Sequence, residues 1–162
     1  MLIRVAGLVP ESFVDGSGIR FAVFMQGCRR RCAGCHNPQT HDLNGGQLVD
    51  TQEIIASLRQ SSILSGVTLT GGEPFLQQDA AIEIARAAHD LGLDVWCYTG
   101  YTFDDVRRSE LIHFVDVLVD GEFRIAERDL ELPFRGSRNQ RLIDVPASLD
   151  VARIILWRGF YG

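Results

Sequence analysis

Short apolar runs alternate with amphipathic segments along this chain, and each run breaks off at glycine. Residues 21–26 end at Gly27, 67–70 at Gly71-Gly72, 93–98 at Thr99-Gly100, and 115–119 at Asp120-Gly121. Runs that are apolar on both faces read as buried strands. Between them, Ile54, Ile55 and Leu58 share a helical face behind Asp50 and Glu53, which stand at capping-box spacing. Ala81, Ile84, Ala85, Ala88 and Leu91 recur at helical spacing up to Gly92 as a C-terminal cap. A short helix begins at Thr102, with Asp105 three residues on.

Such alternation specifies βαβ units with right-handed crossovers and gathers the loops that follow the strands at one end of a parallel sheet. At about 30 residues per unit the chain supplies about five, too few for an eightfold closed barrel. The expectation is an α/β fold, a partial, open βα barrel with about five to six parallel strands. Residues 140–145 and 152–157 read as further strands, with a short helix as the alternative for the second. No repeat, low-complexity tract or linker divides residues 1–162, so one domain is expected.

Three cysteines, Cys28, Cys32 and Cys35, fall within eight residues directly after the first apolar run. The first residues lack the apolar core of a signal peptide, and no segment approaches the length of a membrane span. A cytoplasmic, reducing setting is therefore expected, where crowded cysteines hold metal or do redox chemistry rather than form a structural bridge. Three thiolates on one loop suit an iron–sulfur cluster or zinc, with His36 completing a Cys₃His set in the zinc alternative. A four-iron cluster on three cysteines leaves one iron open to another ligand. Cys97, beside Trp96 in an apolar run, reads as a core residue, with a fourth ligand as the alternative. Sixteen basic against twenty-one acidic residues, net charge -5, argue against a nucleic-acid-binding surface. All the basic residues are Arg, and the absence of Lys excludes lysine Schiff-base chemistry.

The Cys28-x-x-x-Cys32-x-x-Cys35-His36 loop resembles the cluster loop of the radical S-adenosylmethionine (SAM) enzymes, and Thr70-Gly71-Gly72-Glu73-Pro74 resembles their second signature. Val14-Asp15-Gly16-Ser17-Gly18-Ile19-Arg20, Gln26-Gly27-Cys28 and Cys35-His36-Asn37-Pro38 are similar to the glycyl-radical-enzyme activases, with Ser17 where that family usually has Pro. Tyr98-Thr99-Gly100-Tyr101, Asp120-Gly121-Glu122-Phe123 and Phe134-Arg135-Gly136-Ser137-Arg138-Asn139-Gln140-Arg141 resemble the subgroup acting on anaerobic ribonucleoside-triphosphate reductase rather than on pyruvate formate-lyase. The resemblance runs from about Val5 to Trp157.

It implies a [4Fe-4S] cluster on Cys28, Cys32 and Cys35, with SAM chelated at the open iron. Reductive cleavage of SAM to methionine and a 5'-deoxyadenosyl radical would let that radical take hydrogen from a glycine of the partner, the large subunit of the reductase. The electron would come from a low-potential donor such as flavodoxin or ferredoxin. By the same resemblance, Gly71 and Gly72 allow close backbone approach to SAM, and Glu73, before Pro74, accepts from its ammonium. Thr99, Gly100 and Asp120 are further candidates for SAM contact. His36 packs near the cluster, and Asn37 with Pro38 shapes the loop exit. Asp15, Gly16, Gly18 and Arg20 line the opening for the partner's segment. Related activases can have a Lys two residues after the comparable Asp to meet the SAM carboxylate. Glu122 stands there and cannot do so, which leaves Arg135 or Arg138 as a substitute or as a partner contact. The Arg29-Arg30-Arg31 run reads equally as an attractor of an acidic donor and as a solvated face.

Overall fold

The computed structural model describes residues 1–159. Its seven strands are β1 (Leu2–Ser12), β2 (Arg20–Met25), β3 (Gln47–Asp50), β4 (Gly66–Gly71), β5 (Asp94–Tyr98), β6 (Val117–Asp120) and β7 (Arg141–Asp144). The helices are α1 (Thr51–Gln60), α2 (Gln78–Asp90), α3 (Phe103–Val106) and α4 (Val145–Val151). One sheet runs in the order β3-β1-β2-β4-β5-β6-β7, open at β3 and β7. Pairing is parallel from β2 through β6 and antiparallel for β1 on β2, β3 on β1 and β7 on β6.

The α/β expectation holds, but the contiguous parallel set has four strands instead of five to six. The chain spends the remainder on antiparallel edges, which need no helical crossover. β1 escapes the sequence reading because its burial is irregular: Ile3 and Val5 are buried, whereas Leu2 and Val9 are exposed. Residues 152–157 form neither a full strand nor a helix. Ala152 ends α4 in the left-handed region, and Leu156 makes a single bridge to Ile143.

The two faces of the sheet have different roles, as the period-2 alternation of strand side chains requires. Val67, Leu69, Val95, Cys97 and Leu118 face α1 and α2 and pack with Ile54, Leu58, Ile84, Ala85 and Ala88 in the main core. Trp96, Val117, Val119 and Leu142 point the other way and meet Tyr98, Phe134 and Trp157. The caps fall where the sequence placed them, although α1 is capped through Gln52 N rather than through the Asp50–Glu53 capping box. Asp50 accepts from Gln52 N, Thr102 and Asp105 form a reciprocal capping box, and Gly92 closes α2 by donating to His89 O. Among the described residues no helix is long and apolar enough to cross a membrane.

At the N-terminal end of the parallel strands the Arg20 side chain is fully buried. Its Nε donates to Thr68 Oγ1 at 2.7 Å, Nη1 to Ser17 O and Nη2 to Val67 O, both at 2.9 Å. Nη2 also meets Asp94 Oδ1 at 2.5 Å, and the guanidinium lies 5.2 Å from the centre of the Trp96 ring. Burial pushes the guanidinium's pKa down, and Asp94 opposes that push. Asp94→Ala strips this buried cation of its only ionic partner among the described residues. The variant is expected to lose about 2 kcal/mol of unfolding free energy, read from the urea midpoint, with Asp94→Asn losing less.

Candidate functional site

Two strand exits build the site together. Beyond the paired strands, Gly72 N donates to Met25 O at 2.7 Å and Glu73 N to Gly27 O at 2.8 Å, so the loop after β4 is bonded to the start of the cysteine loop after β2. Both glycines of the pair are required by packing. Gly71 has φ +87°, and its Cβ would lie 2.7 Å from Met25 N and O; a Cβ on Gly72 would collide with Gly27 O. What occupies the missing side chains' space is therefore the neighbouring backbone rather than a ligand.

The cysteine loop returns to its origin through Asn37 and Pro38. Asn37 O accepts from Thr40 N at 2.9 Å and Thr40 Oγ1 at 2.6 Å, and Thr40 O accepts from Gly27 N at 2.8 Å. Gln26 Nε2 adds bonds to Gln39 O and Asp42 O at 3.0 and 2.7 Å. Cys28, Cys32 and Cys35 are free, partly buried thiols. Burial raises the Cys32 pKa, Glu122 and the two other thiols push it the same way, and the Phe123 N–H opposes them. The His36 ring packs on Phe123, with centres 5.0 Å apart.

The three cysteines, His36, Asn37, Gly71, Gly72, Glu73, Thr99, Gly100, Asp15 and Arg135 line a single cavity of ≈ 550 Å³ on the sheet face away from the helices. Among the described residues no trio of His, Cys, Asp or Glu is closed around the position of a single metal ion. Glu73 is 3% exposed yet well supplied with donors. Its Oε1 accepts from Thr99 Oγ1 at 2.8 Å and Phe75 N at 3.2 Å, and its Oε2 from Gly100 N at 2.9 Å. Burial raises its pKa, while these bonds and the nearby Arg30 charge lower it. A carboxylate has about four acceptor positions, so Oε2 keeps one for a further donor. Thr99 and Gly100 thus turn their polar groups onto Glu73.

Other residues singled out in the sequence lie apart from this cavity. Pro74 is buried at the start of a 3₁₀ turn. Asp120 is 1% exposed and accepts from Arg141 Nη2 at 2.6 Å, Arg141 Nε at 3.0 Å and Phe103 N at 2.8 Å, bordering a separate ≈ 320 Å³ hollow. Gly16 packs on Arg20 and Trp96, Gly18 on Ser65, and Arg20 forms the floor described above. Arg138 is exposed, its N–H on Glu127 O at 2.9 Å. Cys97 is fully buried in the main core.

Three cavity residues, Tyr98, Phe123 and Arg30, stand in motifs or runs of the sequence without an individual role. Tyr98 donates its hydroxyl to Phe134 O at 2.6 Å, and burial pushes its pKa far up. Arg30 stood hidden within a run of three arginines.

A family model described as a 4Fe-4S single cluster domain matches residues 14–143. The chain belongs to that family. The relatives it resembles include proteins of Enterobacteria phage T4 (38% identical, covering 83% of this chain and 90% of the relative), Salmonella typhi (36%, 81% and 92%) and Escherichia coli K12 (33%, 81% and 92%). Each of these is named an anaerobic ribonucleoside-triphosphate reductase-activating protein. The span matched by the 4Fe-4S single cluster family opens at Val14 on the cavity rim and closes inside β7, so it contains both bonded loops and leaves out β1.

Because Gly72 touches the Gly27 carbonyl, Gly72→Ala must separate the two loops. The expected cost is about 1–3 kcal/mol in the urea midpoint, together with loss of iron uptake on anaerobic reconstitution.

Proposed function

We propose that the chain activates an anaerobic ribonucleoside-triphosphate reductase by forming a glycyl radical on it, as a radical SAM enzyme of the activase type. The observation that carries this reading is the shared cavity: three free thiols of one loop border the same space as a buried carboxylate with one acceptor position to spare. The names of the relatives supply the partner.

The donor set fits a [4Fe-4S] cluster. Cys28, Cys32 and Cys35 provide three thiolates, and the fourth thiol is sealed in the core, so one iron would be left for another ligand. When bound, the reduced cluster and SAM supply a carbon radical able to take hydrogen from a glycine. The chain's own part is positioning and exclusion of water. Glu73, fixed by Thr99, Phe75 and Gly100, holds an acceptor toward an ammonium. Arg135 serves the carboxylate end. It borders the cavity, its Nη1 donates to Gln140 O at 2.6 Å, and its Nε is buried without an acceptor among the described residues. Arg138 has no such placement. Asp15, with its Oδ2 on Ser12 Oγ at 2.5 Å, stands at the cavity's edge where a partner segment would enter. The barrel-like use of the inner sheet face, a single domain, a cytoplasmic setting and a flavodoxin- or ferredoxin-type donor complete the reading.

Anaerobic iron reconstitution followed by EPR of the dithionite-reduced protein tests it. A cluster signal whose g-values move on SAM addition, and a glycyl doublet on added reductase, are expected. Zinc in place of iron, or a cluster indifferent to SAM, would overturn it. Alanine at Cys28, Cys32 or Cys35 is expected to abolish cluster retention, whereas Cys97→Ala keeps iron content. Glu73→Ala should weaken SAM binding about tenfold or more, by loss of a charge-assisted hydrogen bond, while sparing iron uptake.

A further inference from the structure

Arg30 lies between Cys28 and Cys32, but its side chain leaves the cysteine loop and reaches two others. The guanidinium is 4.5 Å from the centre of the Tyr101 ring, and Nη1 is 3.7 Å from Glu122 Oε2. Its stem crosses Gly100 so closely that a Cβ there would collide with Arg30 Cδ. The loops after β2, β5 and β6 therefore meet at this one side chain. It also borders both the main cavity and the hollow beside Asp120, forming part of the wall between them.

The cysteine loop needs such a tether. Between Cys28 and Cys35 its main chain has one internal bond among the described residues, Cys35 N to Cys32 O at 3.1 Å. Arg29, Arg30 and Arg31 are all exposed as residues, but the Arg30 side chain, 30% accessible, lies against Tyr101 and Gly100. A guanidinium stacked on an aromatic ring and paired with a carboxylate is a stronger restraint than an exposed ion pair alone.

We propose that Arg30 is a latch: it closes the cysteine loop onto the loops after β5 and β6, and so sets the position of the three thiols relative to Glu73 before any ligand enters. It acts through Tyr101, Gly100 and Glu122 and is a positioning residue. Its consequence for SAM rests on the function proposed above; the loop closure does not. Glycine at position 100 is part of the same device, because the latch lies where a side chain would be.

The test uses the full chain in two states. In the iron-free protein, alkylation of the loop thiols by neutral iodoacetamide reports how often the loop opens. R30A and G100A, which remove the latch and displace it respectively, should react about five- to tenfold faster than wild type, and R30K should fall between. Cys97 stays silent in all of them. In reconstituted protein matched for iron content, EPR titration should show SAM binding about tenfold weaker in R30A, with R30K in part restored. Wild-type alkylation rates in both R30A and G100A would overturn the latch, and so would faster alkylation with unchanged SAM affinity. Faster alkylation in variants of a protein whose cluster ignores SAM would keep the loop closure and overturn the proposed function instead.

Discussion

The pairing of β2 with β4 is the constraint on which the rest of the molecule depends. Its parallel register runs unbroken from Arg20 opposite Gly66 to Met25 opposite Gly71, and then continues past both strands. Gly72 and Glu73 donate to Met25 and Gly27, so the ladder outlasts the regular structure by two bonds. Those two bonds form only where backbones touch, which is why side chains are missing at 71 and 72, while Gly27 is called for by its φ of +101°. The start of the thiol loop and the main chain that carries Glu73 are thereby joined by one hydrogen-bond ladder, while the thiols lie beyond its last bond. Function-bearing loops at the C-terminal ends of parallel strands are a property of the fold class; the direct bonding of two of them is a property of this sequence.

Two buried charges mark opposite ends of the inner face of the sheet, and each is handled by its neighbours. Arg20 at one end is bonded through each guanidinium nitrogen: a hydroxyl, main-chain carbonyls and the Asp94 carboxylate accept from it, and Trp96 covers it. Such compensation is what a structural charge requires, since a buried ion without it is strongly unfavourable. Glu73 at the opposite end is held by three donors and stops one short, and its pKa is displaced upward by burial as Arg20's is displaced downward. Placement separates the two: the carboxylate of Glu73 borders the cavity, whereas Arg20 lies away from it.

Much of this was legible from residue patterns. The four parallel strands, the capping at Asp50, Thr102 and Gly92, and the placement of the cysteines after a buried strand all followed from local periodicity and cap chemistry. What escaped did so for identifiable reasons. β1 alternates imperfectly and owes its place to pairing on both sides, with β2 and with β3, which no local signal encodes. Thr99 and Gly100 sit where the sequence placed them, but their polar groups serve Glu73, 26 and 27 residues away, and only tertiary structure brings them together. The resemblance puts Arg20 at the opening for the partner and Asp120 beside SAM; both are buried away from the main cavity, bonded to Asp94 and Arg141.

The net charge of -5 illustrates a further limit of composition. It bears on long-range attraction of polyanions, yet it says nothing about the field inside a cavity, where a few groups at short range dominate. Here the lining holds Arg30 and Arg135 together with Glu73, Asp15 and Asp129, a mixture of signs rather than the uniformly basic field that a polyanion needs. These charges reach the cavity from different loops: Arg30 after β2, Glu73 after β4, Arg135 with Asp129 between β6 and β7, and Asp15 between β1 and β2. A lining of mixed charge keeps its pattern across such separate loops only if the loops are held at fixed spacing. That requirement links the glycine contacts, the donors around Glu73 and the reach of Arg30 into one arrangement, because each restrains a loop whose own main chain does not.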